Sequence, residues 1–333
     1  MSTNAAGITF GPVSAALWDG LIAQSEQASV FNRREFLAAL NPQMHIWGAF
    51  EKNELLAAAT VQVDEAGHPL PPNESFNFHQ GILVSAAVAR LPDHSRCRRE
   101  LAAIECLLTG LTQTYDNIWL SLHPRLRDLR AIQWLNYHTP EAGRFQINLY
   151  YTGILDLEGF ATRAALVSSL ARGRQGDYKK GLAQGIRVVG STDVHLLDRL
   201  HAATFERQNA SRGPFERQLI GMAQAALEGG FGELLVAYTA DGAPASASLF
   251  LWDQRTGYYV FGASDPAYRS TGAATVVMVE SLWHAIERGL SQIDFCGINS
   301  PQRGDFKTSF GAAPVPYFDI FWSRPATAAS PRV

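Results

Sequence analysis

The residues best suited to chemistry in this 333-residue chain form a short run of small side chains that opens a helix. Arg269-Ser270-Thr271-Gly272-Ala273-Ala274 follows an aromatic, β-branched stretch, "TGYYVFGA". It precedes an amphipathic pattern with apolar residues at Val276, Val279, Trp283 and Ile286. Small residues at a helix start let a phosphate approach backbone N–H groups, where the helix dipole favours an anion. They also suit a turn that packs closely on a neighbour. A second concentration follows the strand candidate "IWLSLHP": His123, then Arg125, Asp128, Arg130 and Trp134. Arginine suits a diphosphate and tryptophan suits stacking, although an ordinary salt-bridged surface helix uses the same types. His79 is a candidate base beside His123, or a core imidazole. Asp294 ends a strand between Ile293 and Phe295, so alternation turns it away from them, either to orient an acceptor or to cap a turn. Arg172, Arg174, Lys179 and Lys180 gather around Tyr178, as acceptor-phosphate ligands or as a solvated helix face.

The elements that must position these residues recur. "WGAFEKNELLAAATVQV" and "LVAYTADGAPASASLFL" both read as β-hairpins, turning at Lys52-Asn53 and Asp241-Gly242. Each precedes a strand, a long helix and a second strand in the same order. A shift of 175 positions lays Glu105 on Glu280, Leu111 on Ile286, Ile118 on Ile293 and Leu120 on Phe295. The chain is therefore expected to be a duplicated α/β protein, each half a mixed sheet with helices on its faces, divided at 1–165 and 166–333 and joined near 160–185. Under this alignment Gly272 falls on Cys97 and Ala273 on Arg98. The first copy has lost the small residues, so one working anion loop is expected, in the second half. On that reading Gly272→Arg should remove phosphate binding at little cost to folding, unless the glycine needs a positive φ.

Bulk composition narrows the class. The 28 Lys plus Arg nearly balance 31 Asp plus Glu, for a net charge of -3, which gives no global field for nucleic acid. The start lacks a basic stretch followed by an apolar run, and no apolar run approaches membrane-spanning length, so a cytoplasmic location is expected. The three cysteines, Cys97, Cys106 and Cys296, make an odd count with no C-x-x-C spacing, and the histidines show no metal-binding spacing, so no metal is expected.

"RSTGAA" between strand and helix resembles the Q/R-x-x-G-x-G/A loop of GNAT acyltransferases, which holds the coenzyme A pyrophosphate. "IDFCG", "FKTSFG" and "LARGRQGDYKKGLAQGIRVV" resemble segments of the tandem-GNAT, FemAB-like branch, and "HPRLRDLRAIQWLNY" looks like bimodular N-acyltransferases acting on nucleotide-linked amino sugars. The resemblance covers most of the chain. It implies two GNAT-like domains in tandem and an N-acyltransferase of cell-envelope polysaccharide biosynthesis. Acyl-CoA would be held by Tyr259, Phe261 and Arg269 to Ala274, with the strand around Tyr258–Gly262 pairing with the pantetheine arm. The acceptor amine, in a cleft between the halves, would meet Arg125, Asp128, Arg130, Trp134, Arg174, Tyr178 and Asn299. Catalytic roles would fall to Lys307, which matches the family's lysine and is expected to stabilise the oxyanion or a donor phosphate, and to Asp294, His123 and His79. Two departures, the absence of a long heptad arm for tRNA and the intact anion loop, favour a thioester donor. The alternatives are a FemAB-type transferase using aminoacyl-tRNA on a peptidoglycan precursor, or a non-catalytic binding protein on the same fold.

Overall fold

The computed structural model describes residues 7–40, 43–71, 76, 78–207, 209, 211–213 and 218–325. In chain order the elements begin with β1 (Thr9–Pro12), α1 (Ala15–Ile22), α2 (Arg34–Leu40), β2 (Met44–Glu51), β3 (Glu54–Gln62), β4 (Leu83–Val84) and α3 (Ala86–Ala89). They continue with α4 (Asp93–Thr114), β5 (Asn117–Ser121), α5 (Arg130–Trp134) and β6 (Gln146–Asp156), then α6 (Arg163–Ser169), α7 (Arg172–Ala183), β7 (Arg187–Ser191), α8 (Val194–Arg207) and α9 (Leu219–Glu228). The last are β8 (Gly232–Tyr238), β9 (Pro244–Trp252), β10 (Thr256–Ser264), α10 (Ala273–Glu287), β11 (Gln292–Asp294), α11 (Pro301–Thr308) and β12 (Ala313–Ser323).

The first compact unit comprises residues 1–149 with 317–333. Its sheet runs β1-β2-β3-β4. The β2–β3 hairpin closes through Lys52 and Asn53 at φ 47° and 73°, the left-handed pair that a two-residue turn of matching twist demands. The amphipathic α4 buries Ile104, Leu107 and Leu111 against Leu56, Ala57 and Val61 of β3. β5 pairs with the end of β12, from Asp319↔Ser121 to Ser323↔Asn117. Ile320 and Trp322 enter the same core as Ile118 and Leu120.

The second unit comprises residues 150–316. Its strands pair in the order β6-β11-β10-β9-β8-β7, antiparallel throughout except for β10 with β11. The helix α10 lays Val276 and Val277 on Leu235, Ala237 and Ala245, and Met278, Val279 and Leu282 on Phe250 and Phe295. Hairpin, strand, helix and strand thus recur as β2-β3-β4-α4-β5 and β8-β9-β10-α10-β11. The division differs from that expected at residue 165. The segment 160–185 forms α6 and α7 inside the second unit, and the C-terminal strand returns to the first. The cause is hydrogen bonding: residues 154–156 of β6 bond β11, whereas residues 319–323 of β12 bond β5.

Candidate active site

Two features stand out in the second unit, a parting of parallel strands and a helix start opened by a left-handed glycine. β10 and β11 pair for three rungs only, from Thr256↔Gln292 to Tyr258↔Asp294. Beyond these, β10 runs on to Ser264, while the chain after Asp294 turns away. The N–H of Phe295 donates to the Gly153 carbonyl at 2.8 Å, and Cys296 and Gly297 take φ 50° and 32°. Two parallel strands that part in this way leave backbone groups of β10 without a strand partner. On its other side β10 shifts register against β9 between Tyr259 and Phe261, a bulge that re-aims the amides at Val260.

β10 leads through a 3₁₀ turn, Pro266–Thr271, into Gly272 at φ 85°, ψ 1°, and then α10. Asp265 caps the turn by accepting from Ala267 N–H at 2.8 Å. Among the described residues the N–H groups of Gly272 and Ala274 donate no hydrogen bond, and Ala273 reaches only Thr271 Oγ1, at 3.3 Å. Arg269 and Ser270 are exposed. Anions bind at such helix starts because the first N–H groups lack partners and the dipole is positive there. The glycine also packs tightly. A Cβ at Gly272 would overlap the Asp177 carbonyl oxygen of α7 and lie 3.1 Å from Gly181 N. The close-packing reading of the small residues therefore holds, and the open N–H groups leave the turn free for an anion. The expectation that Gly272→Arg folds normally is overturned, because the left-handed φ and the α7 backbone each exclude a side chain.

Around the strand ends, charge is spent on backbone. Asp294 is buried, accepting from Cys296 N–H at 2.7 Å and from the Thr152 hydroxyl. Lys307 on α11 donates to the carbonyls of Cys296 and, at 2.9 Å, of Gly297. Asp294 and Lys307 thus hold the two ends of one left-handed turn. Burial, then Asp294, pushes the Cys296 thiol well above its usual pKa, so it stays protonated. Asn299 brackets the backbone of Tyr151, accepting from its N–H at 2.8 Å and donating to its carbonyl at 3.1 Å. Arg174 is equally committed. It donates to Ser309 Oγ at 2.9 Å, to Asp177 at 2.8 Å and to Thr275 Oγ1 at 3.3 Å, with its guanidinium 5.0 Å from the Phe306 ring centre. Tyr178 is half-buried, packed in the apolar clusters beneath α10. Arg174, Tyr178 and Asn299, read from sequence as acceptor ligands, hold this unit together.

In the first unit the stretch matching the anion loop lies inside α4, which starts at Asp93. Continuous helix has replaced the left-handed turn, so Cys97 and Arg98 offer no cradle. His79 is fully buried, in a bend at φ 50° rather than a strand. Its ring lies 5.3 Å from that of His123 and 4.9 Å from that of Tyr317. Burial first, then His79 and Arg125, holds the His123 pKa well below 6.5, so the ring is neutral. Its Nδ1 accepts from Arg125 N–H at 3.1 Å. The single proton therefore sits on Nε2, so that His123 presents a hydrogen-bond donor there. Arg130 is held by Asp128 through Nε at 2.9 Å and Nη2 at 2.6 Å. Trp134 is 62% exposed and stacks on Tyr137 at 4.3 Å, with Arg144 4.9 Å from the far ring.

Sequence reading missed Asp319, which lies opposite Ser121, bonds its hydroxyl and is pushed up to about 6, chiefly by burial. Alternation in "YFDIFW" shows only that Asp319 and Phe321 share a face, not which strand receives them. The bulge at Val260 was also missed, since no residue type marks it.

Comparison with known proteins places this geometry. Residues 172–308 match the acetyltransferase (GNAT) domain family. No curated protein sequence matches the chain. The structure of FemX superposes with a TM-score of 0.65 at 11% identity, covering 93% of this chain and 96% of that one. A tandem GNAT protein from the clavulanic acid biosynthesis pathway gives 0.56 at 12% identity, covering 97% and 100%. The C-terminal domain of a putative lysylphosphatidylglycerol synthetase from Agrobacterium fabrum gives 0.57 at 10% identity, covering 92% and 90%. Residues 172–308 thus match the acetyltransferase (GNAT) domain family, and the chain has the fold of the tandem-GNAT and FemX structures.

Proposed function

We propose that the protein is an N-acyltransferase that takes its acyl group from acyl-CoA in the second unit and delivers it to the amine of a nucleotide-linked amino sugar. The observation that carries the donor half is the parting of β10 from β11 beside a left-handed glycine and open helix-start amides. Acyl-CoA, when bound, supplies an activated thioester. The chain's part is to place it: Gly272 and Ala274 N–H on the pyrophosphate, with Arg269 as counter-charge, and the unpaired edge of β10 along the pantetheine amides. An amide N–H at the Val260 bulge would take the developing oxyanion. The amine nitrogen then bonds the acyl carbon, the C–S bond breaks and the amine proton passes through water to the thiolate. Lys307 acts here as a brace of the slot wall rather than as the oxyanion partner. Support for the acceptor class comes from the exposed Trp134 face and, earlier in the same segment, Arg125 and Arg127, for which no ion pair is seen among the described residues.

Calorimetric titration with CoA, followed by a thermal-shift matrix of CoA thioesters against nucleotide-linked amino sugars, tests both halves. A ligand at 100 times its Kd raises stability by about 2.7 kcal/mol, well within such a screen. Failure of CoA to bind, together with an RNase-sensitive transfer reaction, would replace the donor by aminoacyl-tRNA.

A further inference from the structure

Tyr259 and Phe295 are the first residues past the last rung that joins β10 to β11. Their side chains lie on the same face, within the apolar cluster of α10, and their rings meet edge to face with centres 6.1 Å apart. The point where the two strands part is therefore closed on that face by a pair of rings. Phe295 is fully buried and cannot retreat. Its ring is backed by Phe310 at 6.5 Å, Phe310 by Phe306 at 5.0 Å, and the Arg174 guanidinium lies 5.7 Å from Phe310. Its backbone is tied to Gly153. Tyr259 is held along β10 by a different device. Its phenol lies over Gly262, where a Cβ would fall 1.5 Å from the hydroxyl oxygen. The hydroxyl makes no hydrogen bond among the described residues, and burial raises its pKa above the usual value. The ring occupies this position because residue 262 has no side chain.

Resting on the donor-site reading above, we propose that the Tyr259–Phe295 pair is the floor of the acyl slot and restricts the enzyme to donors with short acyl groups. A thioester seated between β10 and β11 directs its acyl chain at this point. An acetyl group ends before the rings, whereas a chain several methylenes longer must displace one of them. Close-packed aromatic walls resist such insertion. Phe295 is immobilised from behind, so Tyr259 sets the limit.

The test uses the full chain and calorimetric titration with CoA, acetyl-CoA, butyryl-CoA and hexanoyl-CoA, so no acceptor need be known. Wild type is expected to bind CoA and acetyl-CoA within a few-fold of one another and hexanoyl-CoA at least about tenfold more weakly, given the cost of misfit methylenes in a pocket. Tyr259→Ala should remove that penalty and Tyr259→Phe should keep it. Tyr259→Val, which retains a strand-favouring residue, serves should the alanine variant not fold. Equal wild-type binding of acetyl-CoA and hexanoyl-CoA overturns the proposal. So does discrimination that survives in a folded Tyr259→Ala or Tyr259→Val. Absence of binding by CoA itself overturns the donor-site reading and the floor together, whereas CoA binding without chain-length dependence overturns the floor alone.

Discussion

Replacing Ala274 by aspartate separates loss of the cofactor from loss of the fold, which no change at Gly272 can do. Ala274 is the second residue of α10 and half-buried, and its N–H is one of the two open donors. An acidic residue in the first turn of a helix is favourable to it by roughly 0.3–1 kcal/mol, so the variant should fold and melt close to wild type. A pyrophosphate on the same turn would lie about 4–5 Å from the new carboxylate. Each pair of unit charges at that separation repels by about 1 kcal/mol in bulk water and about 4 kcal/mol near a protein surface. CoA affinity should therefore fall by roughly five- to a thousandfold. Gly272→Ala should behave in the opposite way. A left-handed φ costs a non-glycine residue about 1–2 kcal/mol, and overlap with the Asp177 carbonyl adds about 1–3 kcal/mol as a buried misfit. At about 2–4 °C per kcal/mol for a unit of this size, melting should fall by roughly 4–20 °C. The assays are calorimetry with CoA and thermal melting of both variants. A folded Ala274→Asp with wild-type CoA affinity would show that the pyrophosphate lies elsewhere. A Gly272→Ala that melts with wild type would show that the contact with α7 is not tight.

Asp319→Asn should stabilise the protein at pH 7.5 and not at pH 4. The folded carboxyl titrates near 6 against 3.8 in the unfolded chain, so stability falls as pH rises through that window, by up to about 3 kcal/mol. A pH-independent difference in Tm between variant and wild type would contradict the burial of that carboxyl. Lys307→Met leaves the Cys296 and Gly297 carbonyls without their charged donor, at about 1.5–3 kcal/mol for each bond. Tm and turnover should both fall while CoA affinity changes by less than a few-fold. A tenfold loss of CoA affinity would make Lys307 a phosphate ligand instead. Arg174→Lys should lower Tm, since an ammonium cannot reproduce the fork to Ser309, Asp177 and Thr275 or the stacking on Phe306; unchanged melting would show that those contacts are dispensable. Trp134→Ala should leave Tm within about 1–2 °C, as exposed substitutions do. It should weaken a nucleoside-diphosphate-linked amino sugar by roughly five- to a hundredfold through lost stacking, and equal affinity would remove Trp134 from the acceptor site.

The repeat was legible in the sequence because each of its signals is local. Period-2 and period-3.6 hydrophobicity, the Lys52-Asn53 and Asp241-Gly242 turns and the small residues at the start of α10 report on backbone conformations that neighbouring residues alone determine. The same holds for the absence of a second left-handed glycine turn, since Cys97 and Arg98 stand where Gly272 and Ala273 do. Other features depended on partners distant in sequence. Nothing near Asp319 indicates that β12 returns to β5, so neither the unit boundary nor its raised pKa could be read in advance. Arg174, Asn299 and Lys307 carry residue types that suit substrate phosphates, yet each is consumed by backbone or side-chain acceptors that only the folded chain brings within 3.5 Å. The tautomer of His123 follows from a hydrogen bond from Arg125 N–H, a matter of turn geometry rather than composition. Gly272 shows where the two kinds of information meet. The sequence determined that a small residue opens the helix, and tertiary structure decided why it must be small, because its φ is left-handed and the backbone of α7 lies against it.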